Sequence, residues 1–253
     1  MPLDAPDVVL LVFAAFAAGL VNAIAGGGTL ISFPALIAAG YPSKVANVTN
    51  TVAVLPGYLG GSLAYRDELK RQPKNIATIL APTLLGALAG SVLLLGTPEE
   101  TFETIVPFLV LGACALLAFQ DRLSKIFRPN QDDKSVNMPL LQAGVFGSSI
   151  YGAYFGAGLG IVVLATLGLF MPDDIQRSNA LKGIIALLVN GLAAVYFMIF
   201  ADVAFEAASV MAIASLAGGY SGGRVARKLP RARLRAVVIV YGVIAAIVLL
   251  IRT

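Results

Sequence analysis

Asn22-Ala23-Ile24-Ala25-Gly26-Gly27-Gly28-Thr29 sets an amide and three consecutive glycines inside an apolar run that covers residues 8–25 and resumes over 29–39. Each glycine weakens a helix by about 1 kcal/mol relative to alanine and leaves its peptide groups unshielded, so the helix is expected to break here. In hydrocarbon a broken helix is tolerated only where the freed N–H and C=O groups are buried in protein or line a cavity. Such a break implies a ligand, an ion or water. The short helix beginning near Thr29 would aim the positive end of its dipole into that cavity, which suits an anion.

Composition supplies the membrane. Of 253 residues, 58% are hydrophobic and 13% charged, and the mean hydropathy is +0.86, whereas a soluble domain carries about 25% charged residues. The 18 Lys and Arg and 14 Asp and Glu are too few to clothe a water-soluble core of this size. His and Trp are absent and Cys114 is the single cysteine. Zinc and haem sites, disulfides and Cys/His or Ser/His catalysis thereby lose their usual residues, so neither an enzyme nor a cofactor is expected. The net charge of +4 falls in short loops, an orientation signal rather than a nucleic-acid surface. Asp4 and Asp7 precede the first apolar run in place of a basic segment, so that run is expected to stay in the mature fold.

Apolar runs cover residues 8–25, 29–39, 45–64, 76–95, 104–119, 138–155, 159–171, 181–200, 207–222 and 234–251. Most suit a crossing of about 20 residues; those starting at Thr29 and Leu159 fall short. Each of these two follows a glycine cluster, the second being Tyr151-Gly152-Ala153-Tyr154-Phe155-Gly156-Ala157-Gly158. The clusters belong to a wider match. Ala23, Gly26, Gly28, Ile31 and Pro42 align at constant offset with Ala153, Gly156, Gly158, Ile161 and Pro172. After a one-residue gap Thr49-Asn50 aligns with Ser178-Asn179, and further on Gly86 and Gly90 align with Gly218 and Gly222. The chain is therefore expected to be a duplicated all-α polytopic membrane protein: a first repeat over 1–119, a polar cytoplasmic connector over 120–137 and a second repeat over 138–253.

Loop charge orients the copies. Arg66, Lys70, Arg71 and Lys74 mark one loop as cytoplasmic, and the next holds Glu99, Glu100 and Glu103 without a basic residue. In the second half the order reverses: Asp202 and Glu206 come first, then Arg224, Arg227, Lys228, Arg231, Arg233 and Arg235. With about five hydrophobic elements per half, the repeats are expected to be inverted about an axis in the membrane plane, with both termini outside. Whether the short elements cross fully or form re-entrant hairpins does not alter that parity.

The candidate binding residues are Asn22, Gly26, Gly27, Gly28, Thr49, Asn50, Tyr154, Gly156, Gly158, Ser178, Asn179 and Lys182. The two glycine breaks are expected to face each other near the midplane and bind an anion between helix ends. Asn50 and Asn179 would add amide donors, although each also suits a helix N-cap. Lys182 faces an apolar stretch, where an ionisable residue points to function unless it snorkels to the interface. Lys44 is expected to be a surface charge, Asp173, Asp174 and Arg177 a solvated loop, and Tyr58 and Tyr151 packed or interfacial rings. The pairs Gly57/Gly61, Gly86/Gly90 and Gly218/Gly222 have the small-xxx-small spacing of close helix packing.

GLVNAIAGGGTLISFPALIAAGYPSKVANVTNTVAVLPGYLGGSLAYR resembles the opening repeat of the TauE/SafE family of sulfite and organosulfonate exporters, and RSNALKGIIALLVNGLAAVYF followed by LAGGYSGGRVARKLP resembles its second. Thr29 departs from it where many members continue with another glycine. The resemblance implies outward transport of a sulfur oxyanion or organosulfonate, such as sulfite or sulfoacetate, across the cytoplasmic (inner) membrane. The residues themselves support an anion site in an inverted-repeat secondary carrier working by alternating access. A channel-like anion pore, or a carrier of a different small carboxylate or oxyanion, is the competing reading. No GxxxxGK[ST] motif is present, so an ion gradient, the membrane potential or the substrate gradient must supply the energy. The expected partners are a small anionic substrate and the lipid bilayer, with no nucleic acid and no metal; a homodimer and coupling to protons are compatible with the sequence.

Overall fold

The structure is a computed structural model that describes residues 3–24, 26–63, 66–126, 137–171, 175–225 and 231–252. Its helices in chain order are α1 (Ala5–Ile24), α2 (Thr29–Ala38), α3 (Ser43–Leu63), α4 (Arg66–Lys70), α5 (Pro73–Gly96), α6 (Glu99–Ile126), α7 (Met138–Tyr154), α8 (Leu159–Phe170), α9 (Ile175–Phe200), α10 (Phe205–Val225) and α11 (Arg231–Arg252). No strand occurs among the described residues. Among the described residues, five helical segments are long and apolar enough to cross a membrane: Ala5–Ile24, Pro73–Gly96, Glu99–Gln120, Arg177–Phe200 and Leu234–Ile251. The helices that follow the glycine clusters are short, 10 residues in α2 and 12 in α8. Phe13 (71% exposed), Ile213 (76%) and Ile251 (80%) stand on the bundle's outside among many other exposed large apolar side chains, an amount of apolar surface that suits a lipid solvent.

Two elements depart from expectation. The polar loop after α3 contains the short helix α4, and α6 continues past residue 119 to Ile126, into the stretch read as connector. Residues 127–136 of that connector, Ala25, Pro172, Asp173, Asp174, Arg227 and Lys228 lie outside the described residues.

The packing is reciprocal between the halves. Taking α1, α2, α3, α5 and α6 as the counterparts of α7, α8, α9, α10 and α11, the main helix partnerships map onto one another. The pairs α1–α10 and α7–α5 correspond, as do α3–α10 and α9–α5, and α2–α11 and α8–α6; α3 packs on its own counterpart α9, and α6 on α11. The contact residues follow the same rule. Gly218 and Gly222 lie against the backbone of Phe16 and Leu20, and their counterparts Gly86 and Gly90 lie against Phe146 and Ile150. A methyl group at any of the four would meet a carbonyl, so these glycines serve close packing as their spacing indicates. Gly57 likewise sits on the backbone of Ser215, whose hydroxyl donates to the Ala53 carbonyl at 2.7 Å.

Side-chain contacts also fix directions. Gly183 lies next to Ser62 and Gly191 next to Leu55, so α9 runs antiparallel to α3. At one end of the bundle Lys44 Nζ donates to the carbonyls of Leu95 (3.0 Å) and Thr97 (2.7 Å), while its backbone N–H donates to Glu99 Oε1 at 3.0 Å. Lys44 is thus a clasp between α3 and the end of α5 rather than a simple surface charge, because the last carbonyls of α5 have no partner within their own helix. The Tyr41 hydroxyl, beside α3's start, is pushed up by burial and by the charges of Glu206 and Asp7, which places those acids at the same end. At the other end Gln72 Nε2 donates to the carbonyl of Arg177 at 3.4 Å.

Candidate functional site

Both helix breaks close in the same way, although the glycine before the next helix is right-handed at Gly28 and left-handed at Gly158. The Gly26 N–H returns to the Val21 carbonyl at 3.0 Å and the Gly156 N–H to Tyr151 at 3.2 Å, each closing its helix five residues back. Gly26 (φ +84°) and Gly156 (φ +77°) hold the left-handed conformation that makes this closure possible and that other residues adopt at a cost. Each following helix then starts on the carbonyl of its third cluster glycine: Ile31 on Gly28 at 2.9 Å and Ile161 on Gly158 at 2.8 Å. The N-caps differ. Asn22 Oδ1 accepts the Gly28 N–H at 2.7 Å, whereas Gly152 stands at the equivalent position and the Tyr151 hydroxyl donates instead to the Ala157 carbonyl.

The breaks touch through the first turn of α8. A methyl group built on Gly26 would lie 3.1 Å from the Gly160 Cα, and one on Gly160 would lie 3.3 Å from Lys182 Cδ. Beside this contact is a cavity of about 20 Å³ between α1, α3 and α9, lined by Asn22, Tyr58, Ser62, Asn179 and Lys182 together with glycines of α3 and α9. That volume suits about one water molecule.

The lining is rich in donors. Asn22 Nδ2 and Ser62 Oγ are buried without a hydrogen-bond partner among the described residues. Leaving such a group unpaired costs about 1–3 kcal/mol, so two of them in one cavity wall mark it as a candidate binding site. Lys182 is 8% exposed and is the one charged side chain buried among the described residues. A buried cation is costlier still and is retained in membrane proteins chiefly at ligand and ion pathways. The alignment of the two halves sets Ala53 opposite Lys182, so only the second half carries a positive charge at this position. The Tyr58 hydroxyl faces the side chains of Thr29 and Asn190.

Asn22, Gly26, Asn179 and Lys182 are therefore brought to one place, with Gly27, Gly28 and Thr29 in the adjoining break. The remaining candidates lie elsewhere. Ser178 is buried next to Asn179 without lining the cavity. Asn50 is about two helical turns along α3 from Tyr58, and Thr49 Oγ1 accepts the Ala204 N–H at 3.0 Å. The Tyr154 hydroxyl is 3.3 Å from Thr97 Oγ1, and its carbonyl accepts from Asn47 Nδ2 at 2.9 Å. Asn50 and Asn179 are not N-caps: α3 begins seven positions before Asn50 and α9 four before Asn179, beyond the first turn where free N–H groups need a cap. Sequence reasoning misses Ser62 and Asn47. Each carries a signal: Ser62 follows Tyr58 by four residues and Asn47 precedes Asn50 by three, the spacings that share a helix face.

Comparison with known proteins places the chain among membrane transporters. The family model described as sulfite exporter TauE/SafE matches residues 11–249. A probable membrane transporter protein of Haemophilus influenzae is 25% identical over 228 residues, covering 89% of this chain and 87% of that protein. A probable membrane transporter protein of a Sinorhizobium species is 26% identical over 249 residues, covering 95% and 91%, and one of Escherichia coli K12 is 24% identical over 247 residues, covering 95% and 88%.

Proposed function

The chain belongs to the TauE/SafE family of sulfite exporters, and from that premise we propose that it is a secondary carrier exporting a small sulfur oxyanion or organosulfonate across the cytoplasmic membrane by alternating access. The observation that carries the proposal is the buried Lys182 in a cavity whose other polar lining includes the unpartnered Asn22 Nδ2 and Ser62 Oγ, at the contact between the two breaks. Once the cavity widens beyond its present volume of about 20 Å³, Lys182 supplies the charge for the substrate's oxyanion head. Asn22, Ser62 and Asn179 offer hydrogen bonds whose directions select a compact, multi-oxygen group, and the N-terminus of α2 adds its dipole. The sulfur chemistry comes from family membership alone.

Alternation follows from the architecture. The antiparallel α3 and α9 support inverted repeats, with the pseudo-two-fold axis passing through their crossing near Tyr58. Exchange of the two halves' conformations would open the cavity first to one side and then to the other, and Gly156, Gly158 and Ser178 take their place in the pathway through this exchange. The end carrying Asp7, Glu99 and Glu206 is assigned to the outside, and the end carrying Arg66, Lys70 and Arg177 to the cytoplasm. A binding screen of sulfite, thiosulfate, sulfoacetate, sulfate and simple carboxylates on purified protein tests the substrate class. Saturable binding of a sulfur anion is expected, and binding of carboxylates alone would overturn it.

A further inference from the structure

We propose that Asn47 and Asn50 form a binding site for a small monovalent metal cation, sodium, on the far side of the α3–α9 crossing from Lys182. The two side chains are 1% and 2% exposed and stand three residues apart on one face of α3. Asn47 Nδ2 donates to the carbonyl of Tyr154, the last residue of α7, at 2.9 Å. This bond sets the orientation of the amide and turns its oxygen away. Both Asn47 Oδ1 and Asn50 Oδ1 are buried without a hydrogen-bond partner among the described residues.

An amide oxygen only accepts. Two buried acceptors on one helix face therefore ask for a donor or a cation, where the cavity beside Lys182 presents donors. Asn47 adjoins the C-terminal end of α7, whose dipole favours positive charge, and carbonyls at helix ends coordinate sodium in carriers built from inverted repeats. Comparison of the repeats points the same way. Asn50 is the counterpart of Asn179, and Ala53 is the counterpart of Lys182. Three residues after Asn179 the chain carries an ammonium group; three residues after Asn50 it carries a methyl group, and a bound cation would supply the charge that the sequence leaves out.

The chemistry also selects among cations. Amides do not titrate near neutral pH, and no Asp or Glu is buried among the described residues, so these side chains suit a metal ion rather than a proton. The two neutral oxygens and the absence of a carboxylate favour a monovalent over a divalent ion.

The test uses the purified full-length protein in nanodiscs, with sodium chloride titrated against choline chloride at constant ionic strength and no sulfur anion present, so the result is independent of what is transported. Equilibrium binding of radioactive sodium and thermal stability are read together. Saturable binding is expected, with stabilisation that choline does not reproduce. Asn50→Ala deletes an unpartnered atom and no assigned hydrogen bond, so in choline it should unfold no lower than the wild type while its sodium affinity falls at least tenfold. Asn50→Asp, which adds a negative charge, should bind sodium more tightly than the wild type. Identical curves in sodium and choline, or an Asn50→Ala variant that folds and binds sodium as the wild type does, would overturn the assignment.

Discussion

Asn22 shows how one side chain serves both the fold and the site. Its oxygen caps Gly28 at the start of α2, which leaves its nitrogen directed away and unpartnered in the cavity wall. Asn22→Asp keeps an oxygen for the cap and replaces the nitrogen with a second oxygen. The variant is expected to fold while losing at least tenfold in anion affinity, measurable by titration calorimetry; unchanged affinity would remove Asn22 from the site. Gly26 and Gly40 separate strain from contact. Both have positive φ, +84° and +89°, but Gly26 abuts Gly160 whereas nothing lies within 4 Å of a methyl group at Gly40. Gly40→Ala should cost about 1–2 kcal/mol of backbone strain, and Gly26→Ala clearly more, compared by thermal unfolding in the same detergent.

Single residues also mark the limit of what the sequence makes legible. The breaks at Gly26 and Gly156 can be read from it because a glycine cluster inside an apolar run removes the side chains that would hold a helix together in lipid. That Asn50 and Asn179 stay apart cannot be read there, because equivalence in a repeat is not adjacency. Residues related by a two-fold axis come together only when they lie near that axis, and Asn50 lies about two turns from the crossing at Tyr58. The caps mislead for a simpler reason: apolar runs locate helix interiors, while the polar first turns of α3 and α9 escape a hydropathy reading.

At the level of helices, the short α2 and α8 follow from run length and their neighbouring glycines, while the clasp of Lys44 and Glu99 is hidden because the ammonium group's partners are backbone carbonyls 51 and 53 residues away. The clasp ties the start of α3 to the end of α5 and the start of α6. Lys44→Ala removes two charge-assisted hydrogen bonds at a partly buried position and is expected to lower stability by about 1–2 kcal/mol. Unfolding curves in detergent check this, and a variant as stable as the wild type would show that water replaces the ammonium group without loss.

For the whole molecule, loop charges and reciprocal packing bear on different halves of the topology. The packing relates the two halves of the chain to each other; the charges relate the expected repeats to the membrane. Single cysteines replacing Glu100 and Asp202 are expected to react with an impermeant thiol reagent applied outside intact cells, and cysteines replacing Arg66 and Arg224 only after the membrane is opened. The buried native Cys114 should contribute little background. Labelling of all four from one side would exclude inverted repeats.

Alternating access through the Lys182 cavity is tested most directly by counterflow in proteoliposomes. Vesicles loaded with unlabelled sulfite should transiently accumulate labelled sulfite from outside, with saturation, and Lys182→Gln should reduce the initial rate at least tenfold. Flux that never saturates and shows no counterflow, or a Lys182→Gln variant that exchanges sulfite as fast as the wild type, would contradict it.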